Sequence, residues 1–195
     1  MKYNQSLKHL LVSKTRQKLL GILFYQPSEI YYVRQLVRLA DEEINSVRRE
    51  LENLKNADVV TSEQRGNRLY YQANVNSSMF LELLVLAHKS SGLGEGIQKN
   101  RDKVGAIKLI AASFEYLTGT KKGEGSIDMI IVGDISIREI DNLIKSEESR
   151  LQKEINYMVM DRSEFRLRKQ KRDPFLVDFF LACPFILFGN PESLA

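Results

Sequence analysis

A hairpin signal that follows three helical periods constrains this chain's fold more than any other feature. Val59-Val60-Thr61 and Arg68-Leu69-Tyr70-Tyr71-Gln72 are β-like runs around SEQRGN, whose Gly66-Asn67 pair suits a two-residue turn. Upstream, KTRQKLLGILFY (Lys14 to Tyr25) carries Leu19, Leu20, Ile22 and Leu23 behind a Ser13/Thr15 start signal, and Pro27 blocks continuation. A short strand-like YYV precedes Val33, Leu36, Val37 and Ala40, which recur at i, i+3, i+4, i+7 and give a second, short helix one apolar stripe. The acidic Asp41-Glu42-Glu43 cluster suits the positive end of a third helix, whose expected buried face is Ile44, Val47, Leu51 and Leu54.

The opposite face of that third helix carries Asn45, Ser46, Arg48, Arg49 and Glu52. Arginine can give two parallel hydrogen bonds to guanine and asparagine can do the same for adenine, so these types suit a major groove. Arg65 and Arg68 stand on either side of the Gly66-Asn67 turn. Three helices and a basic hairpin in this order predict a winged helix-turn-helix, with the third helix in the major groove and the hairpin tip along the backbone or minor groove. Asn45, Ser46, Arg48, Arg49, Arg65, Gly66, Asn67 and Arg68 are therefore the expected DNA-binding residues. Each arginine by itself is equally compatible with a solvated surface, and some winged helices bind protein instead.

Charge is distributed to match. Residues 1–72 hold 12 Lys or Arg against 8 Asp or Glu, whereas residues 73–195 hold 17 of each. All the net charge of +4 therefore belongs to the first segment, as a local polyanion-binding module would require. Cys183 is the only cysteine, which excludes internal disulfides and thiolate-rich zinc sites. No run approaches the roughly 18–20 apolar residues of a membrane span, and the N-terminus does not read as a secretory signal. A cytoplasmic protein without membrane contact is expected.

Ser78 to Lys89 (SMFLELLVLAHK) places Leu81, Leu84, Val85 and His88 on one stripe, with Phe80, Leu83 and Ala87 flanking it. So apolar a helix should pack on the first helix, on a second subunit, or on both. His88, with no second ligand type nearby, is expected at a helix end or interface. The following Ser90 to Gly96 stretch reads as a flexible joint. In the second half, Val104–Ser113, Ile127–Val132, Glu154–Met160 and Phe185–Phe188 read as strands, while Ser136–Lys153, Ser163–Gln170 and Pro174–Leu181 read as helices. The expected class is α+β with two domains, residues 1–76 and 104–195, joined by a connecting and dimerising segment at 77–103. The basic tract Arg166, Arg168, Lys169, Lys171 and Arg172 suits either a solvated helix or an acidic partner.

VSKTRQKLLGILFYQPSEIYYVRQLVRLA and INSVRRELENLKNADVVTSEQRGNRLYYQAN resemble prokaryotic winged-helix regulators related to the arsenic-repressor superfamily, in a subgroup fused to a nucleotidyltransferase-like domain. The metal sensors of that superfamily use closely spaced cysteines, which this chain lacks. For the second half, the resemblance to the minimal nucleotidyltransferase fold implies a Gly-Ser pair, a later glycine and an Asp-x-Asp. The matching positions hold Phe114 and Glu115, Gly119, and then Ser126 and Asp128; Asn156 and Tyr157 stand where a third acid would lie. Serine is a poor magnesium ligand and Asp128 alone offers too little charge, so this site is read as vestigial, with no catalytic residue, metal or cofactor. The expected protein is a transcriptional regulator that binds double-stranded DNA as a homodimer, with a protein or small-molecule effector at its second domain. The alternatives are an active nucleotidyltransferase and an antitoxin-like partner of a toxin.

Overall fold

The computed structural model describes residues 13–120 and 126–194, which leaves the glycine-bearing approach to Asp128 outside the described residues. The fold is mixed α+β with two sheets, and the chain divides into two compact units between Ser91 and Gly92. No described helix is long and apolar enough to cross a membrane.

In the first unit, α1 (Lys14–Tyr25) starts on Ser13, whose hydroxyl accepts from the Arg16 backbone N–H, as an N-cap should. Thr15, Leu19, Leu20, Leu23, Phe24 and Tyr25 are its buried residues. The two-residue strand β1 (Tyr31–Tyr32) leads into α2 (Val33–Ala40), which ends on Asp41 in a left-handed conformation. α3 (Ile44–Asn56) follows with Val47, Leu51 and Leu54 buried. Two details depart from the sequence pattern. Ile44 is only half-buried, and the fourth buried position of α3 is the charged Glu50.

The hairpin is longer than expected, because β2 (Val60–Arg65) and β3 (Arg68–Ala73) absorb the polar SEQR stretch. Backbone pairing continues to Arg65 opposite Arg68, so Gly66-Asn67 is the whole turn. Gly66 has φ +60 while Asn67 stays at negative φ, the pattern of a type II′ turn that matches strand twist. β1 adds to the other side of β3, with Tyr32 opposite Tyr70.

α4 (Phe80–Ser90) packs on α1, one of the two placements its composition predicts. Its buried stripe is Phe80, Leu84, Ala87 and His88, rotated from the expected one, so Leu81 is left 44% exposed. His88 is buried against the Tyr25 ring, 4.3 Å between centroids. The expected flexible joint is instead mostly helix: α5 spans Gly92–Lys99, and its Leu93 and Ile97 are buried.

The second unit continues through α6 (Arg101–Val104), β4 (Gly105–Ala112), α7 (Phe114–Thr118), β5 (Met129–Ile135), α8 (Ile137–Leu151), β6 (Tyr157–Met160), α9 (Arg162–Gln170), α10 (Pro174–Leu181) and β7 (Phe185–Gly189). Its sheet runs β6-β5-β4-β7. β4 is antiparallel to both neighbours, whereas β5 and β6 are parallel, with α8 as the crossover that parallel pairing requires. Leu109, Ala111, Ile130 and Val132 face one core with Phe165, Leu176 and Phe179 of α9 and α10. Ile110, Ala112, Met129 and Ile131 alternate to the other face and are buried as well, so both faces are covered.

Candidate nucleic-acid interface

The position of α3 is set by ionic ties to α1. Lys18 Nζ donates to the Ala40 carbonyl at 2.6 Å and pairs with Glu42 at 2.7 Å, stitching α1 to the turn between α2 and α3. The hydrogen bond from Lys18 holds the Glu42 carboxyl below its ordinary value. The Asp41-Glu42-Glu43 cluster therefore anchors the turn, and neither Glu42 nor the N-cap residue Glu43 caps α3 through its side chain.

Glu50 is the second tie. Its carboxylate, 6% exposed, accepts from Arg16 Nε at 2.9 Å. Burial by itself pushes that carboxyl up, but hydrogen bonds from Ser13 and Arg16 and the Arg16 charge outweigh it and hold it below the usual carboxylate range. A depressed folded-state value means that this contribution to stability is present above the unfolded value, about pH 4.3, and fades as pH falls through the folded one. Arg16→Ala should cost about 1–2 kcal/mol at pH 7. That is less than the roughly 3–5 for a fully desolvated pair, because Arg16 is 39% exposed. Without Arg16, less opposes the upward push of burial, and acid unfolding of the first unit should begin at higher pH. Denaturant titrations at pH 7 and pH 4 read both effects, and an unchanged acid midpoint would remove the tie.

These pairings sort the basic residues of the first unit. Lys14 and Lys18 pair with Glu42, Arg16 with Glu50, and Arg65 with Glu63 through Nε and Nη2 at 2.9 and 2.7 Å. Among the described residues, Arg34, Arg38, Arg48, Arg49, Lys55 and Arg68 have no carboxylate partner, and all six are exposed. Arg34, Arg48 and Arg68 line one groove of about 660 Å³ between the start of α2, the outer face of α3 and the hairpin. Tyr32, Gln64 and Asn67 share that lining, as does the single carboxylate of Glu52. The Arg68 guanidinium lies 5.2 Å from the Tyr32 ring centroid, and Tyr32 meets Tyr70 edge-on at 6.1 Å. Arg68 is thus held at the groove by an aromatic face, which leaves its hydrogen-bond donors unused by any carboxylate.

Of the eight residues expected to bind DNA, Arg48, Asn67 and Arg68 meet in the groove. Asn45 and Arg49 are exposed on α3 outside it, and Ser46 is half-buried. Arg65 and Gly66 are exposed at the hairpin tip, but Arg65 is engaged by Glu63 and lies over Tyr70, 5.4 Å from its centroid. Arg34 and Tyr32 join the groove without being among the eight residues expected from the sequence. The α2 stripe that buries Leu36 and Ala40 already turns Arg34 outward, which is the signal that could have found it.

The other expected site lies around Asp128. Phe114 and Glu115 open α7 and Gly119 ends it at φ +71, while Ser126 and Asp128 precede β5. Asp128 is 4% exposed. Its backbone N–H donates to the Asn156 carbonyl at 2.7 Å, and its Oδ2 accepts from the Asn156 N–H at 3.0 Å. Its own carbonyl accepts from the Ser113 N–H at 2.8 Å. Asp128 thus joins three chain segments where β5 and β6 begin. Oδ1 is buried without a hydrogen-bond donor. Among the described residues no three His, Cys, Asp or Glu side chains converge to hold a metal ion. Asp128→Ala should destabilise the second unit by about 1–3 kcal/mol through the orphaned Asn156 N–H. Thermal unfolding measures it, and a wild-type melting curve would contradict the structural role.

The chain matches no protein-family model, no curated protein and no solved structure.

Proposed function

We propose that this protein is a sequence-specific, DNA-binding transcriptional regulator. Its first unit acts as a winged helix-turn-helix, and its second, nucleotidyltransferase-like unit serves regulation or interaction. The observation that carries the reading is the groove itself: Arg34, Arg48 and Arg68 line it without carboxylate partners, whereas Lys14, Arg16, Lys18 and Arg65 are each paired with a glutamate. Unpaired guanidiniums are what phosphate oxygens and guanine edges require.

In this reading α3 enters the major groove, where Arg48 reaches base edges beside Asn45 and Arg49. Arg68 and Asn67 of the hairpin, with Arg34 at the start of α2, hold the phosphate backbone and fix the register. Arg65 contributes less than Arg68, because Glu63 offsets its charge. For the second unit, the burial of Asp128 and its bond to the Asn156 backbone support a structural role in place of metal-dependent nucleotidyl transfer. An operator with two half-sites requires two copies of the chain.

Selection of bound fragments from genomic DNA, followed by footprinting, tests the reading. The expected result is a protected pair of half-sites about one helical turn, or a multiple of it, apart. Failure to retard any duplex at low ionic strength would end it. Transfer of labelled nucleotide to an acceptor that disappears in Asp128→Asn would overturn the assignment of the second unit.

A further inference from the structure

We infer that the outer edge of β7, with the adjoining exposed face of α10, pairs with the same surface of a second copy of this chain. The inference stands apart from DNA binding, because every residue it uses lies in the second unit.

An open sheet has two edges, and each presents unpaired backbone N–H and C=O groups to any extended chain that approaches. The two edges of this sheet are built differently. β6 is flanked by Lys153 and Glu154 before it and by Asp161 and Arg162 after it, charges that discourage strand addition. β7 is blunted less by charge: only Glu192, three residues beyond its end, is charged among its near neighbours, with Pro184 before it, Pro191 after it and one register shift against β4. From Pro174 to Gly189 the chain carries a single charge, Asp178, and the strand itself is Phe-Ile-Leu-Phe-Gly. Its inner edge pairs with β4, and among the described residues no strand pairs with its outer edge.

Apolar exposure concentrates in the same segment. Phe175 is 60% exposed, Leu181 75% and Phe188 41%. α10 runs into β7 through Ala182-Cys183-Pro184, and its Leu176 and Phe179 share one core cluster with Ile186 of β7. The helix and strand therefore share one core and are held together as a unit. Gly189 closes the strand at φ +80 with the Lys108 carbonyl against the place a Cβ would occupy, so β7 is pinned to β4 as an ordered edge.

A second copy is the occupant these features select. About a two-fold axis β7 meets β7 antiparallel, and each strand satisfies the other's outer backbone groups. In such a contact a charge at the axis faces its own copy, so an uncharged strand such as β7 pairs with itself without like-charge repulsion. The product is a continuous eight-stranded sheet in which Leu181 and Phe188 are covered from both sides.

Sedimentation equilibrium of the full chain tests this, with expected wild-type mass twice the 22.5 kDa of one chain. Leu181→Lys with Phe188→Lys should raise the dimer dissociation constant roughly a hundredfold, since each lysine would be desolvated beside its copy, while the far-ultraviolet spectrum is retained. Leu81→Lys, on α4 of the first unit, should leave the dimer intact. Hydrogen exchange of wild-type protein supplies a readout that needs no variant: β7 amides should gain protection as concentration rises. A monomeric wild type would overturn the inference. So would a dimer that survives both lysines, one that dissociates with Leu81→Lys, or β7 protection independent of concentration.

Discussion

Alanine at Arg34, Arg48 and Arg68 together is expected to weaken binding to a selected duplex by about 4 kcal/mol, roughly a thousandfold. Each guanidinium lines the groove without a carboxylate partner, so each is available to a phosphate or a base edge. Removing the two phosphate contacts of Arg34 and Arg68 should flatten the dependence of log affinity on log salt by about 0.9 per contact. The single variants should separate the roles. Arg48→Ala should relax base preference at one position in each half-site, whereas Arg34→Ala and Arg68→Ala should weaken all sequences alike. Arg65→Ala should change affinity by no more than about threefold, because its charge is already met by Glu63. Fluorescence anisotropy over a salt series measures both quantities. If the triple variant binds as wild type does, the groove is not the interface.

Leu51→Ala is expected to cost about 2–5 kcal/mol, the range for emptying a fully buried leucine site. Leu51 is completely buried on α3, which packs against α1, α2 and β2. The loss should appear as earlier unfolding of the first unit in denaturant. Affinity per folded molecule should change little, since Leu51 points away from the groove residues of the same helix. A variant as stable as wild type would mean that α3 is held by its ionic ties to α1 and not by its apolar face.

Helix positions were legible in the sequence wherever a periodic apolar stripe met a sharp stop. α1 runs over Lys14–Tyr25 as its pattern predicts, because the Ser13 cap and Pro27 act within one turn of the ends. The Gly66-Asn67 turn was legible for a similar reason: a two-residue connection leaves the backbone few choices. The hairpin's length was not, since Ser62, Glu63 and Gln64 have no strand-forming composition and join β2 only because Tyr71, Tyr70 and Leu69 of β3 lie opposite. Local propensity loses there to cross-strand pairing. The stretch from Ser90 to Gly96 does contain the division between the two units, but its glycines suggest flexible chain where buried Leu93 and Ile97 hold a helix.

For the candidate interface, the residue types on α3 and the hairpin could be read in advance, but their state of charge could not. Sequence alone determined which faces of the helices are apolar, where the tight turn lies, and that the net positive charge belongs to the first segment. The tertiary structure alone decided that Glu50 is buried on Arg16, that Glu63 occupies Arg65, and that Arg34 joins Arg48 and Arg68 in one groove. Burial patterns follow from spacing along one element, whereas pairing of charges depends on distances of a few ångströms between elements, which only the packed fold sets.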